Sequence, residues 1–262
     1  MKGLSVAFWS ESLKVRRSKV FRVTILFFAF IAVMMGLLMF VTKHPELAGR
    51  SATLSAKASR LGNADWPNFL NLLIQTILAL GPIGYGIVTS WVFGREYTDR
   101  VIKDILALPV PRSSIVIAKF LVVFIWNILL TLTLFIMATV TGWIVNIPGW
   151  SSPLVWQAFM TFFGSGLLTI ILCTPVAFVA SSSRGYLLPI GFVILVLIMT
   201  QLVGMGMPNV MPYFPWAIPA LFSGLAGSAL PQHGVLSYFI LGLTGIFGFL
   251  GTIAWWNFAD QT

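Results

Sequence analysis

Six runs of this chain are apolar for about the length a helix needs to cross a lipid hydrocarbon core. No other feature constrains the fold as strongly. A crossing takes about 20 residues rising about 1.5 Å each, and residues 23–42 supply that without a charge. Residues 69–93, 115–145, 154–182, 186–205 and 236–258 are the other five runs. Gly81-Pro82 predicts a kink in the second, Pro175 a bend in the fourth, and the over-long third must tilt or project from the bilayer. Hydrophobic residues make up 58% of the chain, charged ones 9%, and the mean hydropathy is +0.94. A water-soluble domain of this size has no interior for so much apolar surface. The predicted fold is an all-α integral membrane protein, one transmembrane domain over residues 1–262, and ten tryptophans suit aromatic belts at its two interfaces.

Between the fifth and sixth runs, residues 206–232 are apolar but carry Pro208, Pro212, Pro215, Pro219 and Pro231. Proline at that density excludes one regular spanning helix and predicts short half-helices that re-enter from the outer side. The net charge of +9 comes from basic residues in the short segments between apolar runs, which points to membrane orientation rather than to nucleic acid. Twelve of the Lys and Arg residues fall on the side of the N-terminus; Lys43, Arg50, Lys57 and Arg60 fall on the other. That asymmetry predicts both termini in the cytoplasm. Residues 1–22 read as an interfacial helix with Val6, Trp9, Leu13 and Val20 on one face. Leu4, Phe8 and Val15 lie on another, beside Glu11 and Lys19, so one face meets lipid and the other meets protein.

Signatures of enzymatic chemistry are missing from the sequence. No Gly-Lys dipeptide occurs, hence no phosphate-binding loop of the G-x-x-x-x-G-K-[ST] kind, and G-x-S-x-G and H-E-x-x-H are absent. Cys173 is the sole cysteine, and His44 and His233 have no acidic or cysteine cluster nearby, so neither an intramolecular disulfide nor a metal site is expected. The apolar runs carry no charge at mid-depth, which argues against a proton relay or an ion-coupled carrier. Their polar residues are neutral: Asn71 and Gln75 four apart, Asn127, Gln157 and Gln201. These either hydrogen-bond between helices or line a pathway, with Asn71, Gln75 and Asn127 the candidates for the latter. Gly242, Gly245, Gly248 and Gly251 in the sixth run predict close helix packing.

The charged stretch between the second and third runs is different in kind. Residues 95–108 read as an amphipathic helix with Val101, Ile105 and Leu108 on one face, ended by Pro109 and Pro111. Its polar face mixes Arg95, Glu96, Asp99, Arg100, Lys103 and Asp104, and Glu96 is expected in an exposed first turn, paired with Arg100. A lipid anchor would be mainly basic, whereas mixed charge beside an apolar ridge suits docking to a protein.

This stretch, GREYTDRVIKDILALPVPRSSIVIAKF, resembles the segment between spans two and three of ABC-2 type transporter permeases. Glu96, the turn from Leu106 through Pro109 to Arg112, and Lys119 at the start of the next span carry the resemblance. The chain is most similar in pattern to small permeases of the bacitracin-resistance and lantibiotic-immunity kind; the loop 43–68 departs from that pattern. The resemblance implies a permease subunit in a prokaryotic plasma membrane that pairs with a second permease, identical or homologous, and with a separate ATPase that holds the ATP and Mg. The chain itself would need no cofactor. Residues 95–108 would be the coupling helix on that ATPase, with Arg112 and, in the short turn 181–186, Arg184 as further contacts. An amphipathic or lipidic substrate such as a peptide antibiotic, moved outward, fits the family. An ATP-independent channel or secondary transporter, or a non-transporting scaffold or sensor subunit, are the alternative classes.

Overall fold

The computed structural model describes residues 2–44, 63–99, 101, 110–225 and 234–258. Its helices are α1 (Lys2–Arg16), α2 (Lys19–Lys43), α3 (Trp66–Thr98), α4 (Arg112–Ile144), α5 (Ser152–Ile171), α6 (Cys173–Ser183), α7 (Leu187–Gly206), α8 (Ile218–Ser223) and α9 (Val235–Phe258). Taking α5 and α6 together as Ser152–Ser183, six of these units are long and apolar enough to cross a membrane. The described residues form an all-α membrane protein, as the apolar runs require.

Helix starts follow local chemistry. Ser18 caps α2, its Oγ accepting from Phe21 N at 3.0 Å, and Asp65 caps α3 by accepting from Asn68 N at 3.0 Å. Each satisfies one of the N–H groups a helix start leaves free. At the opposite end of α2, Lys43 donates to the carbonyls of Val145 and Asn146 at 3.2 and 2.9 Å, fastening it to the end of α4.

Two boundaries differ from expectation. Residues 95–98, assigned from sequence to a separate helix, are the last turn of α3, which is capped at Asp99. Gly94 does not end that helix because it serves as a point of close approach: a Cβ there would lie 2.8 Å from Gly185 O. Arg100 and residues 102–109, the remainder of the predicted coupling helix, lie outside the described residues, as do residues 45–62 of the loop 43–68 and residues 226–233 of the Pro-rich segment. The fourth run is two helices, broken at Leu172 three residues before Pro175. Proline removes the donor that would bond Ile171 O; the Thr174 hydroxyl reaches that carbonyl at 3.0 Å and Gly245 O at 2.7 Å.

The Pro-rich segment folds as 3₁₀ turns Pro208–Tyr213 and Pro215–Ala217 followed by α8, which ends at Gly224 with φ +67°. It packs against α5, α7 and α9. In α1 the buried residues are Ala7, Glu11 and Val15, one face at four-residue spacing, while Val6 and Trp9 are exposed. That buried face packs on α4, so α1 is bonded to the bundle by the side that carries its carboxylate.

α9 lies along α6 through its glycines. A Cβ at Gly245 would meet Ile171, at Gly251 it would meet Phe178, and at Gly248 it would fall on the Pro175 backbone nitrogen; at Gly242 it would meet nothing. Gly248→Ala is therefore expected to lower stability by roughly 1–3 kcal/mol through overpacking, while Gly242→Ala leaves it unchanged. Thermal unfolding of the two purified variants in detergent checks the contrast.

Candidate functional site

The C-terminal halves of α1 and α3 and the start of α4 meet in a buried ionic cluster. Lys119, in the second turn of α4, is 1% exposed and directs its ammonium at Glu96 Oε1 (2.8 Å), Glu11 Oε2 (3.2 Å) and Val92 O (3.1 Å). Three acceptors match the three protons of an ammonium. Lys14 joins from α1, bonding Glu11 Oε1 and Glu96 Oε1. Two carboxylates and two ammoniums so placed are neutral as a set, which is what burial of charge demands.

Glu96 is therefore not the exposed residue expected from sequence. It is 2% exposed and sits in the last turn of α3, not the first turn of a new helix; its charge meets Lys14 and Lys119. Sequence reading also passed over Glu11, Lys14 and Lys119 as a group. The available signal was Glu11 itself, a carboxylate four residues from Ala7 and Val15 on an otherwise apolar face.

Around the cluster other helix ends converge. Arg112 Nη1 donates to Trp256 O at 3.3 Å, and Trp256 Nε1 donates to Ser181 Oγ at 3.0 Å, joining the start of α4 to α9 and α6. The Trp256 ring lies 5.9 Å from Lys119 Nζ and edge-on to Tyr97. Arg184 is exposed in the left-handed conformation (φ 55°) just past α6, and its turn abuts Gly94 of α3. Arg95 stacks over Trp91 and pairs with Asp99 at 3.4 Å. Arg95, Glu96, Asp99, Arg112 and Arg184 thus share one end of the molecule; Arg100, Lys103 and Asp104 lie outside the described residues.

The three neutral candidates separate. Gln75 lines a cavity of about 340 Å³ together with Gln201, Thr169, Thr200 and Trp216, bounded by α3, α5, α7 and the Pro-rich turns. Asn71 is exposed one turn from Gln75 on the same face. Asn127 is fully buried, and its amide atoms have no partner in the described structure. Among the described residues no group of three or more His, Cys, Asp or Glu side chains is gathered that could hold a metal.

Two outcomes follow from the cluster. Lys119→Met leaves buried carboxylates short of counter-charge and is expected to cost about 3–5 kcal/mol, while adding Glu96→Gln recovers part of the loss; thermal unfolding reads both. Burial pushes the Glu11 carboxyl up, but the charges of Lys119 and Lys14 outweigh it and hold the group below its ordinary 4.5. Its contribution is then complete above that value and lost as pH falls through the lower folded value. The stability gap between wild type and Glu11→Gln should accordingly stay constant down to about pH 5 and shrink below about pH 4.5.

Comparison with known proteins adds the family. Residues 7–201 match the model of the ABC-2 family transporter protein. The chain is also 28% identical over 200 residues to the bacitracin transport permease protein BCRB of Bacillus licheniformis, across 73% of this chain and 91% of that one. The matched region takes in the ionic cluster, the charged segment that leaves it, and five of the six spans. The chain belongs to the ABC-2 family of transporter proteins and is a multi-pass permease subunit of that kind.

Proposed function

We propose that this permease exports an amphipathic or lipidic substrate, such as a peptide antibiotic, driven by a separately encoded ATPase that docks on the segment between α3 and α4. The observation that carries the reading is the clasp at the root of that segment. Glu96 lies two residues before the end of α3, Lys119 in the second turn of α4, and the two are bonded to each other and to α1. A push on residues 99–111 therefore acts on three helices as one body, the mechanical requirement for turning ATPase closure into movement of spans.

The cavity on α3 and α7 supports the choice of substrate. At about 340 Å³ it is near the lower end of the 300–1,000 Å³ usual for drug-sized ligands, too small for a whole peptide. Asn71, Gln75 and Gln201 are exposed around it, and amides facing lipid are unfavourable. A second permease seated over this face would shield them and enlarge the cavity into a pathway. With both termini cytoplasmic, the positively charged end of the bundle faces the ATPase.

Charge reversal tests the docking without touching the clasp. Asp99→Lys, Lys103→Glu and Asp104→Lys together should leave membrane insertion and thermal stability near wild type while abolishing co-purification of the ATPase and substrate-stimulated ATP turnover. Normal ATPase association and transport in that variant would overturn the assignment. Orientation is read separately with single cysteines at Ser114 and Gln232 on a Cys173→Ala background: an impermeant thiol reagent should label Gln232, not Ser114, in intact cells.

A further inference from the structure

A second concavity, of about 440 Å³, opens between the α1–α2 elbow and the inner ends of α3 and α7. Lys14, Arg17, Lys19 and Arg95 line it together with one carboxylate, Asp99, and Trp91 and Tyr186 are its aromatic walls. The four cations are not equally committed. Lys14 is bonded to Glu11 and Glu96, and Arg95 to Asp99. Among the described residues no carboxylate pairs with Arg17 or Lys19, and both are exposed. The positive end of the 25-residue α2 opens onto the same space with no acidic residue in its first turn. Net positive charge, a concave form and free donors together select an anion.

The surface below the crevice says which anion. Lys19, Val23, Leu26, Phe30 and Leu37 fall within about 60° of one another on α2 at about 100° per residue. The four apolar members are 55–67% exposed. From Lys19 to Phe30 this stripe runs about 16 Å, half of an about 30 Å hydrocarbon core. Cationic head and apolar stripe, in register on one helix face, repeat the layout of a phospholipid in one leaflet.

We propose that this crevice is a binding site for the phosphate headgroup of an anionic membrane lipid, with Arg17 and Lys19 as its principal ligands and the acyl chains lying along α2. Trp91 and Tyr186 flank the headgroup at interfacial depth, where aromatic side chains are favoured. Because α1 and α2 join at the crevice and α1 is clasped to α3 and α4, the lipid would brace the elbow from its membrane side. This site is independent of the transport reading and is tested without substrate or ATP.

The full chain, purified in mild detergent and stripped of lipid, is titrated with phosphatidylglycerol or phosphatidylcholine, and bound lipid is counted by native mass spectrometry. Wild type is expected to retain one phosphatidylglycerol in preference to phosphatidylcholine. Arg17→Gln with Lys19→Gln should weaken that binding about 30-fold, at roughly fivefold per basic residue near an anionic headgroup. The charge-matched control Arg16→Gln with Arg22→Gln removes two exposed basic residues that do not line the crevice and should bind like wild type. Equal loss in the control would mean diffuse attraction rather than a site and overturn the proposal. Displacement of the lipid by an equal concentration of glycerol 1-phosphate would also overturn it, by assigning the crevice to a soluble phosphate.

Discussion

One ammonium organises the end of this protein where α1, α3 and α4 meet. Lys119 is enclosed among helices, and an enclosed charge holds only if its partners are fixed as firmly as it is. The carboxylates of Glu11 and Glu96 must therefore be presented by α1 and α3 in one arrangement, and Lys14 must return to balance the second of them. Apolar packing alone tolerates sliding of one helix past another, since many registers bury similar area. Opposed charges within about 3 Å tolerate much less, because separation leaves each in low dielectric. The cluster thereby sets the register of three helices whose lipid-facing surfaces could not.

Most of the fold was legible because the bilayer imposes a length on every crossing, and six apolar runs of that length leave little choice of architecture. The glycines of α9 were legible for a similar reason: small residues at regular spacing have few uses other than close approach, and three of the four meet α5 or α6. Helix limits were harder. Nothing in residues 93–98 distinguishes a spanning helix that runs on from a new one that begins, since the deciding contact is between Gly94 and the distant Gly185.

The site was legible only by type. Mixed charge between two spans marked the region, but the sequence pairs Glu96 most simply with Arg100 four residues on, and local spacing carries no information about Lys14 or Lys119. Asn71 and Gln75 were read together from their four-residue spacing and do share an exposed face; their grouping with Asn127 rested on polarity alone, and full burial separates it from them.

The Thr174 hydroxyl stands where a proline has removed an amide, within reach of both Ile171 O in its own chain direction and Gly245 O across the helix boundary. Its single proton is shared between the two acceptors in a three-centre arrangement. The carbonyl freed at the break is therefore not left without a donor in the apolar interior, where no water stands ready to replace the missing amide. Beyond the break, Gly248 seats α9 directly on the backbone of α6, and the Trp256–Ser181 bond ties the same two helices again toward their far ends. The hydroxyl is then a rivet: the fourth crossing is fastened to the sixth at the point where its own ladder is interrupted.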